Sequence, residues 1–185
     1  MKLQLVLILA AIVVLSPAPT MAQAIFTHVS GTAGPDAFIA LGTVECPGGS
    51  PTGLFPFGPP CTPGSRVNIR GLVVQSQWVA TDSRVTGVFT NVFSGNFDGW
   101  TQWGPGSGHV WGACSLAVAG GGLWSGTAQG YRTVNADGVS VAFHIVMHGT
   151  GGSIEGLHLE LDLIATAPAA TSETFTGRIL VPGGK

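Results

Sequence analysis

Charge is what this sequence has least of. Lys and Arg together number seven and Asp and Glu nine in 185 residues, a formal net charge of −2, where an ordinary globular domain devotes about a quarter of its residues to these four types. No basic footprint for nucleic acid or for an anionic membrane surface is present. The few carboxylates lie mostly near turns, so a glycosidase pair has only Glu155, Glu160 and Asp162 to draw on. Helix signals are missing as well, since no stretch carries apolar residues at the helical period behind a capping box. There is no Gly-x-Ser-x-Gly elbow and no His-Glu-x-x-His pair, and the glycine clusters fall between strand-like runs instead of ahead of helices, which removes a phosphate cradle. No cofactor is implied.

What is present begins with an export signal. Met1-Lys2 is a short basic start, and Leu3 to Leu15 is an apolar run with the length of a signal-peptide core, too short to span a bilayer comfortably. Ala22-Gln23-Ala24 has the small-x-small pattern of a cleavage site, so residues 1–24 are expected to be removed and the secreted chain to start near Ile25. Losing Lys2 with the leader takes the formal charge from −2 to −3. No cysteine follows the apolar run closely enough for a lipoprotein anchor, and the mature form is expected to have no membrane span. Residues 25–185 are enough for one domain with a real core.

Glycine supplies 29 of the 185 residues without a collagen period. Mixed with Val, Phe, Trp and Thr, it suggests curved strands and tight turns. Turn signals recur at 81–83, 98–99, 119–122, 135–138, 149–153 and 167–171, and the runs between them are rich in β-branched and aromatic residues. Strands are expected near 66–80, 84–97, 109–118, 122–133, 139–148, 156–166 and 173–181, with one or two more between Ile25 and Glu45. Long strands joined by short turns suit an all-β fold, a single antiparallel up-and-down β-barrel of about eight strands, better than an immunoglobulin-type sandwich.

All three cysteines follow the leader, and export favours pairing. Cys46 and Cys61 enclose a Pro/Gly-rich loop, and a disulfide closing a loop of about 15 residues is worth roughly 3 kcal/mol in the chain-entropy model. That pairing leaves Cys114 a buried thiol; the alternative joins Cys46 or Cys61 to Cys114. Within the loop, Leu54, Phe55 and Phe57 either pack an otherwise floppy connection or form a lid over one end of a cavity.

Alternation assigns faces, because a slip of one residue turns a buried face outward. Across the 81–83 turn, Val67, Ile69, Val73 and Val79 are expected to share the core face with Val85, Phe89, Phe93 and Phe97. Gln75, Gln77 and Asn91 then fall on that apolar side, where a buried amide needs a partner, and become candidates to line a ligand pocket. Across 119–121, Val110, Cys114, Leu116 and Val118 are matched with Leu123, Ser125, Thr127, Gln129 and Tyr131, which adds Gln129 and Tyr131 to a neutral polar lining; the opposite choice would bury Trp111 and Trp124. Such a lining hydrogen-bonds a ligand without supplying a charged acid or base.

Histidines offer the metal candidates. Val141, Phe143, Ile145 and Met147 alternate with His144 and His148, and Leu157, Leu159, Leu161 and Leu163 alternate with His158, Glu160 and Asp162, so leucines face in and histidines out. His148 then meets His158 and His144 meets Asp162 on a solvated polar face, where nothing forces ligands to converge, and no metal site is expected. Trp100, Trp103 and Trp111 surround a glycine-rich connection that either plugs a barrel end or forms an aromatic platform.

At "GGGLWSGTAQGYRT" and "HGTGGSIEGLHLEL" the chain resembles the closing strands of small eight-stranded barrels of the allene oxide cyclase and dirigent type. The resemblance implies a barrel whose interior holds an apolar small molecule, in some relatives during a cyclisation guided by cavity shape. Three functions follow as expectations: a secreted barrel binding an apolar or amphipathic small molecule, a cofactor-free isomerase or cyclase with Tyr131 as phenolic proton donor, or a non-enzymatic structural or surface-interaction protein with a filled interior.

Overall fold

A computed structural model describes residues 25–46, 53–55, 65–167 and 173–182. Its strands are β1 (Ile25–Ala33), β2 (Ala37–Ala40), β3 (Gly42–Glu45), β4 (Gly53–Phe55), β5 (Val67–Ala80), β6 (Gly87–Phe97), β7 (Trp100–Thr101), β8 (Gly104–Pro105), β9 (Gly108–Val118), β10 (Leu123–Asn135), β11 (Gly138–Thr150), β12 (His158–Ala167) and β13 (Glu173–Val181). The seven strands expected from Arg66 onward are all present. Among the described residues no helix is long and apolar enough to cross a membrane.

The sheet runs β1-β13-β12-β11-β10-β9-β6-β5, every pair antiparallel, and β1 returns to pair with β5. Eight strands thus form a closed ring. The last link is short: Gly31, Thr32 and Ala33 sit opposite Ala80, Val79 and Trp78. Beyond Ala33 the chain breaks at Gly34, Pro35 and Asp36, and β2 and then β3 continue along the same edge of β5. Those two strands pair with β5 but not with β13. The ring wall therefore has a seam where β1 leaves β13, between Asp36 and Glu173.

Inward side chains fill the ring unequally. At the end carrying the 81–86, 119–122 and 151–157 links, Trp78 stacks on Phe89 with centroids 4.2 Å apart and on Phe175 at 4.5 Å. Trp124 is fully buried there and donates its indole N–H to the Arg84 carbonyl at 2.6 Å. Val85 and Ile154, each on a short 3-10 turn, close this end from above. Asp82 stiffens the first of those turns by accepting from the Arg84 backbone N–H and from its guanidinium. The other end has a smaller cluster, built from Val44, Val67, Ile69, Leu72, Phe97 and Val110.

Two face assignments differ from expectation, each for a local reason. Gly71 has φ of +67° and bulges β5 between Ile69 and Leu72. One extra residue inverts the alternation, so Val67 and Ile69 point inward but then Leu72, Val74, Ser76 and Trp78 do, while Val79 is exposed. On β10 the link closes through Gly121 N–H to Val118 O and Val118 N–H to Gly122 O, which sets Trp124 opposite Leu116. The inward set of β9 is the expected one, Val110, Cys114, Leu116 and Val118. The side chains that share this face from β10 are instead Trp124, Ala128 and Arg132, with Gly126 and Gly130 opposite Cys114 and Val110. Trp111 stays on the outer wall with the Arg70 guanidinium 5.3 Å above its ring.

Candidate functional site

Beyond the aromatic plug, toward the other end of the ring, lies a cavity of 210 Å³. Most of its wall is apolar: Leu72 and Val74 from β5, Phe93 and Phe97 from β6, Val141 and Phe143 from β11, and Leu163 and Ala165 from β12. The small hairpin β7–β8 covers it, placing Trp103 and Pro105 on the lining. That hairpin is tied down by Asp98 N–H to Ser107 O at 2.8 Å and by Val134 N–H to the Ser107 hydroxyl at 2.9 Å.

Six polar side chains reach this cavity: Asp36, Ser76, Asn91, Trp103, Arg132 and Glu173. Arg132 donates through Nη2 to the Trp103 carbonyl at 2.7 Å, which fixes the guanidinium beneath the covering hairpin. Among the described residues its Nη1 is buried without a partner, and so are the Trp103 indole Nε1 and the Asn91 Oδ1. Burial lowers the Arg132 guanidinium to about 10, so it stays cationic at neutral pH. Asn91 fits because residue 112 on the neighbouring strand is glycine; a Cβ there would come within 2.4 Å of Asn91 Oδ1.

The carboxyls sit at the seam. Glu173 opens β13 opposite Ala33, and Asp36 follows the break after β1. Burial, and then the negative charge of Asp36, raises Glu173 from its ordinary 4.5 to about 7. Asp36 keeps an exposed edge, yet the protein packed around its carboxyl raises it above the usual value, against the lowering effect of a hydrogen bond with Ser76. Among the described residues Arg132 makes no ion pair with either carboxyl.

Of the residues expected to line a pocket, Asn91 alone is on the cavity wall, 4% exposed. Gln75 lies outward of the bulge, half-buried, its amide donating to the Thr90 hydroxyl at 3.2 Å. Gln77 is exposed and reaches the Trp78 carbonyl. Gln129 and Tyr131 are exposed on the outer wall, where Tyr131 meets His109 edge-on. These four placements are corrected by the bulge and by the β9–β10 register. The lid expectation is partly beyond reach: Leu54 and Phe55 belong to β4, paired with β3 through Thr43 and Gly42, whereas Phe57 and Cys61, and with them the Cys46–Cys61 clasp, lie outside the described residues, as does the leader 1–24. Cys46 packs against the smaller core cluster. Cys114 is a free, buried thiol raised to about 12 by burial.

The outer face of β11 and β12 has the expected arrangement. His144 Nδ1 lies 2.9 Å from Asp162 Oδ1, His148 and His158 stack edge-on at 4.4 Å, and Glu160 accepts two bonds from Arg178. Among the described residues no group of three or more His, Cys, Asp or Glu side chains converges as metal ligands.

Three charged residues of the cavity lining escaped the sequence reading. Glu173 alternates with Phe175 and Ile179, which the pattern "ETFTGRIL" makes visible. Arg132 has the parity of Trp124 and would follow from the correct β10 register. For Asp36 no local signal exists, since it stands in a chain break whose neighbours on the ring are distant in sequence.

In comparisons with known proteins, no family model matches the chain, and neither a curated protein nor a solved structure matches it.

Proposed function

We propose that the ring is an up-and-down β-barrel, a single exported domain of residues 25–185, that binds an apolar or amphipathic small molecule in its interior. The cavity carries this reading: 210 Å³ of mostly apolar space lined by Asn91, Trp103 and Arg132, each with a buried polar atom that has no partner among the described residues. Small-molecule sites combine an apolar wall with a few polar groups in this way, and a native interior pairs such atoms with protein, ordered water or a ligand. A side-chain-filled interior, which the structural or surface-interaction reading requires, is less well supported. The outward face carries His144, Glu160, Asp162 and Arg178 among exposed apolar residues such as Val92, Val146 and Ile164, and the inward core is apolar, which supports a water-facing protein over a membrane barrel with a polar lumen. Export with cleavage near Ala24, the Cys46–Cys61 clasp and the allene oxide cyclase and dirigent likeness belong to the same proposal, the last through strand number and hairpin rhythm.

Native mass spectrometry of the exported protein tests it. A retained small molecule, or stoichiometric uptake of an apolar fluorescent probe quenched by the interior tryptophans, is the expected result; an interior that takes up neither would overturn it.

A second reading, a cofactor-free isomerase or cyclase, is favoured by one observation. Glu173, raised to about 7 beside Asp36 on the cavity lining, has the poise of a general acid or base at neutral pH. Tyr131 is on the outer wall and cannot serve as the phenolic donor. Turnover of a bound ligand, abolished in Glu173→Gln while binding persists, distinguishes this reading from simple storage.

A further inference from the structure

We infer that the ligand carries a carboxylate, received by Arg132 Nη1 and Trp103 Nε1 at the covered end of the cavity, with its apolar part lying between Phe93 and Phe143. The inference rests on the binding reading above and adds the ligand's chemical class. Both donors are buried and unpartnered, and they belong to residues already joined by the 2.7 Å bond from Arg132 to the Trp103 carbonyl. A guanidinium N–H and an indole N–H supply two donors and one positive charge, which suits the two oxygens and single charge of a carboxylate. Holding a half-buried cation without a counter-ion is costly, and none of the described side chains is its salt-bridge partner.

The two carboxyls of the cavity do not fill that role. Arg132 is on β10, Glu173 is three strands round the ring on β13, and Asp36 is beyond it at the seam. Glu173 responds to Asp36, whereas burial alone moves Arg132. The cavity thus has a cationic wall and a separate acidic rim. Its volume limits the apolar part. An engineered apolar cavity of about 150 Å³ holds benzene, so 210 Å³ suits one aromatic ring or a short alkyl chain next to the head group.

The test compares 3-phenylpropanoate with its neutral counterpart 3-phenylpropan-1-ol by calorimetric titration of the full exported protein at pH 7.5. The parent is expected to bind the acid at least ten-fold more tightly than the alcohol. Arg132→Met should level the two by weakening the acid alone, and Trp103→Phe should shrink the gap to a few-fold. Equal affinities in the parent overturn the carboxylate and leave the cavity reading standing; binding of neither compound overturns both. Should Arg132→Met fail to fold, Trp103→Phe decides, and an acid-to-alcohol ratio unchanged from the parent overturns the inference.

Discussion

The two ends of the ring are built from the same strands and behave as different materials. At one end Trp78, Trp124, Phe89, Phe175 and Ile154 pack with almost no exposure, and the indole N–H groups of both tryptophans are satisfied, by Ser76 and by the Arg84 carbonyl. At the other, among the described residues, Trp103 leaves its indole N–H unpartnered, Arg132 is half-buried without a counter-ion, and two carboxyls share the seam. The first end gains stability from burial and has nothing left to offer a ligand. The second retains polar groups without protein partners among the described residues, and holding such groups beside an apolar cavity costs stability unless a partner meets them. Strand continuity explains where each end falls. The plugged end is where β1 closes the ring against β5, and the opposite end is where β2 and β3 pair with β5 but not with β13.

The sharpest way to break this contrast is to remove an aromatic from each end. Trp78→Ala should cost about 3–5 kcal/mol in a chemical denaturation series, and Trp103→Ala, which uncovers a cavity without emptying a packed core, should cost markedly less. Equal losses would mean that the covering hairpin is as much a part of the core as the plug. Gly71→Ala comes next. No atom lies within 4 Å of the added Cβ, so the cost is the left-handed backbone alone, about 1–2 kcal/mol; a neutral result would show that the bulge relaxes and that β5 can change face.

Acidic-rim chemistry gives a smaller effect with a definite sign. Glu173 holds its proton more tightly folded than unfolded, about 7 against 4.5, so the folded state binds more protons between those values and stability falls as pH rises through that window. Glu173→Gln should flatten this part of the pH profile, leaving the variant more stable than the parent above pH 7 and the two converging near pH 4.5. Equal slopes in thermal melts across that range would place the Glu173 carboxyl in water. The smallest expected effect belongs to the outer wall. Gln77→Ala, Gln129→Ala and Tyr131→Phe should each change stability by less than about 0.5 kcal/mol and leave probe uptake unaltered; a loss of uptake in any of them would move the binding site from the interior to the outside.

Much of the architecture was legible without coordinates. Turn chemistry located the seven strands from β5 to β13 that enter the ring, and the alternation of Leu159, Leu161 and Leu163 with His158, Glu160 and Asp162 assigned both faces of β12. The candidate site was legible at Asn91 and little else. Gln75 and Gln77 were misassigned because a glycine with positive φ is indistinguishable in a sequence from one that keeps a strand extended. Gln129 and Tyr131 were misassigned because several successive glycines allow more than one closing geometry for the β9–β10 link, and each shifts the register by one residue.

The sequence by itself determined the antiparallel, all-β character, the strand spans and the faces of the hairpin at 138–167, because alternation and turn preference act over a few residues and need no distant partner. Only the tertiary structure decided that β1 closes the ring on β5 and that Asp36, Asn91, Trp103, Arg132 and Glu173 face one cavity. Those residues come from five separate parts of the chain. Their meeting depends on register added up strand by strand around the ring, and a single bulge or turn residue anywhere along the way reverses which side chains arrive inside.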